Sequence, residues 1–345
     1  MEAQTKGIPL MIPRSANGLA YKSYASLQAW TGARLIGHGA VIDFQTDHSA
    51  TGCGLFLGAP GGGPEVSDVQ MHGVKVISSN ATGRNSVYGL ISIFNSSDVL
   101  LEDCWVGSSS PGSGGEGCGI FSLNSTDLRI VRPQLQNTLA DGIHLSRATL
   151  RVVVDHPIVI GAQDDGVSVV SVKQDATGPI YGPCQYIEIL QPVVRNSTVL
   201  GNGVALIGAQ DCTVIGGNVD TVPDSGLVIG EANYGGLIKP ARNTVIGLGI
   251  RNAASVSGCL RVGHATDTVL TGINATGGFG GVSVVGSTDT IISGSRISSV
   301  GTSQFGVYDD ATSIRTLVTG SNLTGNTSGP YLFQGIRSIQ SGNIT

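Results

Sequence analysis

Three aspartates break a pattern that the rest of the chain keeps. Asp141 precedes Gly142, and Asp164-Asp165 precedes Gly166 about two dozen residues later. Each of these glycines opens a short apolar strand. In successive repeats the position before the glycine reads Tyr88, Cys118, Asp141, Asp165, Asn202 and Ser225. If the repeats stack, Asp141 and Asp165 are vertical neighbours about 4.8 Å apart, with Asp164 beside them. Carboxylates that close raise one another's pKa and keep a proton near neutrality. General-acid attack on a glycosidic oxygen requires such a proton. A calcium site or a solvated acidic patch would use the same three residues.

The residue two places after each glycine is Phe121, His144, Ser168, Ala205 or Val228, with Arg261 further along. Strand alternation turns these outward, because Ile143, Leu145, Val167 and Val169 must face a core. His144 is therefore expected beside the aspartates, placed to hold a proton or a substrate hydroxyl. Asn202 continues the aspartate column, and Arg261 shares the outward phase. Other aspartates read as structural. Asp68, Asp98, Asp127, Asp211, Asp267 and Asp289 recur just before a strand, where an Asp caps a turn by bonding its own backbone.

The elements that position these side chains follow from a period of about 22 to 30 residues. Segments opening at Ser67, Ser97, Thr126, Thr149, Gln210, Asn243, Asp267 and Asp289 each give a strand, a turn and a second, glycine-led strand. That period is too short for a βαβ unit, and nothing between the strands has helical periodicity. Two or three strands per coil, stacked on copies of themselves, give an all-β right-handed parallel β-helix, a solenoid that buries a column of Ile, Val and Leu. One domain is expected over 1–345, with strands stacked from near Ala33 to near Leu332. Residues 1–31 read as a cap helix cut short and a first strand, as in a piece of a longer chain. Residues 171–183 and 231–241 enlarge two coils, and loops of this kind wall a binding face. They carry Lys173, Tyr234 and Lys239.

Composition narrows the functions. Of 345 residues 52 are Gly, 12% are charged and 40% are hydrophobic, so there is core material in short clusters. No apolar run reaches the roughly 18 residues of a membrane span. A net charge of −5 without a Lys/Arg stripe argues against nucleic acid as a partner. The six cysteines form no CxxC pair, which leaves buried thiols as their simplest reading. Residues 1–30 hold no charged-then-apolar export signal.

Asp141-Gly142 with Asp164-Asp165-Gly166 resembles the polygalacturonase family of β-helix glycoside hydrolases. Gly7–Pro13, Ala33–Gly37 and Ala140–His144 are similar to the wider pectate-lyase superfamily, which includes phage tail spikes and depolymerases. The first resemblance implies Asp164 as general acid, with Asp141 and Asp165 holding and deprotonating the water that inverts the anomeric carbon. His144, Asn202, Arg261, Lys173 and Tyr234 would contact substrate. The chain departs from that family at Ala140 (Thr in the motif), at Gly201-Asn202-Gly203 (Gly-His-Gly) and at Val228 and Gly230, where an Arg-Ile-Lys clamp is expected. The resemblances together imply cleavage of an acidic or complex polysaccharide, no cofactor, an extracellular or virion-tail setting, and a homotrimer. Two readings stand beside hydrolysis: a lyase, with Lys173, Lys239 or Tyr234 as base and Ca²⁺ on the uronate, and a non-catalytic glycan- or receptor-binding shaft.

Overall fold

The computed structural model describes residues 9–15, 17, 19–45, 54–59, 65–79, 88–107, 117–174, 180–255, 258–278, 280–298 and 305–345. Among them every strand pairs in parallel into one of three sheets, of 13, 11 and 12 strands. Most coils contribute one strand to each sheet. The expected parallel β-helix is the fold observed, with three strands per coil. The third is the three-residue strand between the two legible in sequence, such as Gln134–Gln136 or Ile158–Ile160. No described helix is long and apolar enough to cross a membrane.

The stack is longer than expected at both ends. Leu10–Met11, Tyr21–Ser23 and Leu27–Ala29 supply the first rungs of the three sheets. Leu10 pairs with Leu35, so the described part of the segment read as cap and first strand already supplies one strand to each sheet. The cap helix itself was placed on residues that lie outside those described. At the other end Ile339–Ser341 still pairs with Leu317–Thr319. One continuous core column runs from Ala29 to Leu323. Cys104, Cys184, Cys212 and Cys259 are buried free thiols, and burial lifts the Cys184 pKa to about 11 and the other three to about 12. None is a nucleophile at neutral pH.

The recurring aspartates are structural for a different reason from the one expected. Thr126 pairs with Leu150 and Leu128 with Val152, so Asp127 and Arg151 bulge out of the ladder opposite each other. Both are left-handed, with φ of 57° and 51°. The equivalent Asp68, Asp98, Asp211, Asp267 and Asp289 have φ between 52° and 58°. Asp tolerates this region better than most side chains. No described member of the column bonds its own backbone through its carboxylate. Instead Asp127 pairs with Arg151 at 2.7 Å, Asp211 with Arg242 at 2.6 Å, and Asp68 with Arg34 at 2.7 Å. Asp127→Asn keeps a residue suited to that backbone and loses one exposed ion pair, so it should cost at most about 1 kcal/mol. The thermal unfolding midpoint, with activity unchanged, checks this.

Candidate active site

The aspartate column lies at the edge of the third sheet, where the chain enters Ile143–Ser146, Val167–Val170 and Val204–Ile207. The glycine after each column residue lets neighbouring coils close up. A Cβ on Gly166 would lie 2.4 Å from Val194 Cγ1 and 2.6 Å from the Gly203 carbonyl oxygen. These glycines are kept by crowding, with φ outside the left-handed region.

Within the column each side chain binds the backbone of the next rung. The Asp165 N–H donates to Asp141 Oδ1 at 3.0 Å. The Asn202 N–H donates to Asp165 Oδ1 at 2.6 Å, and Asn202 Nδ2 adds a second bond at 2.9 Å. The Ser225 N–H donates in turn to Asn202 Oδ1 at 3.2 Å. This ladder fixes both carboxylates and the Asn202 amide without any loop.

Asp141 is buried, whereas Asp164 and Asp165 are half-buried. One carboxylate oxygen from each of the three lies within 4.8 Å of the others. The expected cluster is therefore present. Burial, then the neighbouring Asp141 and Asp164 charges, push the Asp165 carboxyl well above the usual carboxylate range, against the two Asn202 hydrogen bonds that favour its charged form.

Asp141 Oδ2 hydrogen-bonds His144 Nδ1 and accepts the Ser168 hydroxyl at 2.7 Å. Ser168 Oγ is also 3.0 Å from the same His144 nitrogen. Ser, His and Asp thus meet at one atom of the imidazole, not in the relay a serine nucleophile needs. His144 stacks on Phe121 with ring centroids 5.4 Å apart. Phe121 belongs to a buried outer cluster with Phe56 and Phe94, which closes this face on the N-terminal side.

A groove of about 730 Å³ opens over the cluster. Asp141, Asp164, Asp165, His144 and Asn202 line it, as does Tyr234. The enlarged segments form one wall. Gln174 bridges Ile180, Ala232 bridges Ile238, and the Lys173 N–H donates to the Tyr234 carbonyl at 3.0 Å, tying the two segments together. Both leave the same end of the third sheet, so they flank the face as expected; residues 175–179 lie outside those described. Lys173 and Arg261 are not brought into the groove. Lys173 is exposed in the wall with its stem over Gly236, and Arg261 is exposed three rungs from Ser168 in the same outward column.

Three contributors were missed in the sequence. Ser168 shares its register with His144 and was visible in the outward column. Asp224 stands two places before Gly226 as Asp164 does before Gly166, a match that could have been found. The opposite wall, Val199 to Gly201, comes from a longer connection between strands of the second and third sheets. Both oxygens of Asp141 and one of Asp165 accept protein donors, which ties these carboxylates to the fold.

No family model matches the chain, and no curated protein does. Solved structures do. The mannuronan C-5 epimerase AlgE6 A-module of Azotobacter vinelandii is 14% identical with a TM-score of 0.68, over 99% of this chain and 92% of that one. The catalytic unit of a thermostable GH87 α-1,3-glucanase from Streptomyces thermodiastaticus is 16% identical with a TM-score of 0.69, and this chain spans 98% of its own length and 62% of the glucanase unit. The periplasmic alginate epimerase AlgG is 11% identical with a TM-score of 0.66, over 98% and 77%. At these identities the likeness is one of fold: the chain shares the parallel β-helix on which these polysaccharide-acting enzymes are built.

Proposed function

We propose that this protein cleaves a polysaccharide as a glycoside hydrolase. The observation that carries the reading is the group of three carboxylates within 4.8 Å at the floor of a walled groove, one of them holding its proton above the usual carboxylate range. Asp141 and Asp165 are joined through the ladder and cannot both carry charge cheaply, so the pair shares one proton and holds the attacking water between its oxygens. Asp164, beside them and lining the groove, gives its proton to the glycosidic oxygen as the bond breaks. The water loses its proton to the pair, and a proton returns to Asp164 over less than 4.8 Å. Solved neighbours that are epimerases and glucanases support a polysaccharide as the substrate.

Release of reducing ends without a rise at 235 nm tests the proposal, since β-elimination leaves an unsaturated, absorbing product. A lyase has less support, because Tyr234 lines the groove but Lys173 does not. Proton NMR of the first-formed reducing end checks the inversion implied by the resemblance. A retained anomer would instead make one carboxylate a nucleophile, and oxygens within 4.8 Å of one another stand nearer the separation of about 5–5.5 Å in retaining enzymes than the roughly 6.5–9.5 Å of inverting ones. His144→Ala removes one partner of Asp141 and leaves Ser168 and the Asp165 N–H in place. Activity should fall roughly 10- to 100-fold, as for one hydrogen bond to a charged group, with KM little changed.

A further inference from the structure

We infer that the groove takes an uncharged glycan and not the acidic one implied by the polygalacturonase resemblance. The inference rests on reading the groove as a polysaccharide site. Four carboxylates line it, Asp141, Asp164, Asp165 and Asp224, and with one proton shared by Asp141 and Asp165 and another on Asp164 two negative charges remain. The basic side chains among its described lining are His144 and Arg147. His144 is committed to Asp141 and Ser168, and Arg147 is already engaged. A cleft lined mainly by one sign of charge concentrates that field and repels a polymer of the same sign. A polyuronate carries a carboxylate on every sugar, so each bound unit near the cluster would meet that field.

Among the described residues the outward column beyond the cluster supplies no counter-charge before Arg261. Ser168 is followed along the column by Ala205 and Val228, and Arg261 comes next, roughly 14 Å from Ser168 at the usual strand spacing. The rim is apolar. Val199, Leu200 and Tyr234 are 55%, 59% and 61% exposed, an aliphatic and aromatic surface suited to the C–H faces of neutral pyranose rings. A polycation is drawn by the same field, so chitosan is the sharper competitor to a neutral chain in the test.

Matched pairs make the test. Wild-type protein is assayed for reducing-end release on polygalacturonate and alginate, on their carboxyl-reduced neutral counterparts, on chitosan, and on α- and β-linked glucans, galactan, mannan and xylan. The Asp164→Asn variant is measured for retention in gels of the same polymers. At least tenfold faster cleavage, or tighter retention, on a neutral polymer than on every charged one is the expected result. Equal or greater turnover on chitosan, or on a uronate without a rise at 235 nm, overturns the inference and leaves hydrolysis standing, and turnover on a uronate with that rise overturns both. Retention on neutral polymers without cleavage supports the inference and removes the hydrolase reading. Neither retention nor cleavage of any neutral polymer overturns it. Val228→Lys provides an independent arm, since a cation two rungs from Ser168 should raise retention on polygalacturonate at low salt and lose that gain at high salt.

Discussion

Asp164→Asn should lower reducing-end release by about 10²–10⁴-fold while the β-helix stays folded. Asn is nearly isosteric with Asp, and the Asp164 backbone keeps its 3.3 Å bond to the Ala140 carbonyl. What disappears is the proton for the leaving oxygen. Neither other carboxylate of the cluster can take over cheaply: Asp141 is already bonded to Ser168, His144 and the Asp165 N–H, and with Asp165 it forms the pair that holds the water. A substrate with a good leaving group, such as an activated aryl glycoside, needs less protonation, so the variant should recover much of its rate on it. Turnover within tenfold of wild type on a natural polymer would remove Asp164 from the acid's role. Full loss on the activated substrate as well would mean that Asp164 serves the attacking water instead.

The sequence carried the fold through its repeats and the site through its exceptions. A strand that must bury Ile143 and Leu145 turns His144 outward, and the period places Asp141 above Asp165, so the cluster was legible from spacing alone. The interiors of the coils were less so. Many strands of the second sheet, such as Trp105–Gly107, are only three residues long and have too little alternation to show a period. The recurring aspartates were recognised as structural, but their left-handed backbone and their arginine partners one coil away depend on register, which composition does not reveal. Arg261 shows the limit of phase arguments: it has the right outward direction but lies three rungs along the solenoid axis from Ser168. The walls were legible on one side, where insertions lengthen the period, and missed on the other, where the connection before Gly203 is only modestly longer than its neighbours.

Asp165→Asn should abolish activity and at the same time stabilise the protein at neutral pH. The folded chain holds Asp165 in a place that resists its charge, through burial first and then through Asp141 and Asp164. Its folded pKa therefore lies above its unfolded value of about 3.9. Between those two values the native state binds more protons at this site than the unfolded chain does, so stability falls as pH rises through that window. Asn removes the titration and the repulsion together. Its side-chain oxygen still accepts both Asn202 donors, so the ladder survives. The unfolding midpoint of the variant should exceed that of wild type by a few degrees at pH 7.5, and the difference should shrink toward zero near pH 4, where wild-type Asp165 is protonated in the folded state. Activity of the wild type should decline on the alkaline side as pH passes the raised Asp165 value and the pair loses its shared proton. A variant less stable than wild type at pH 7.5 would show that the Asp165 charge is welcome in the fold, and the shared-proton mechanism would lose its physical basis. A gain in stability with turnover unchanged would leave the electrostatics correct and place the chemistry elsewhere in the groove.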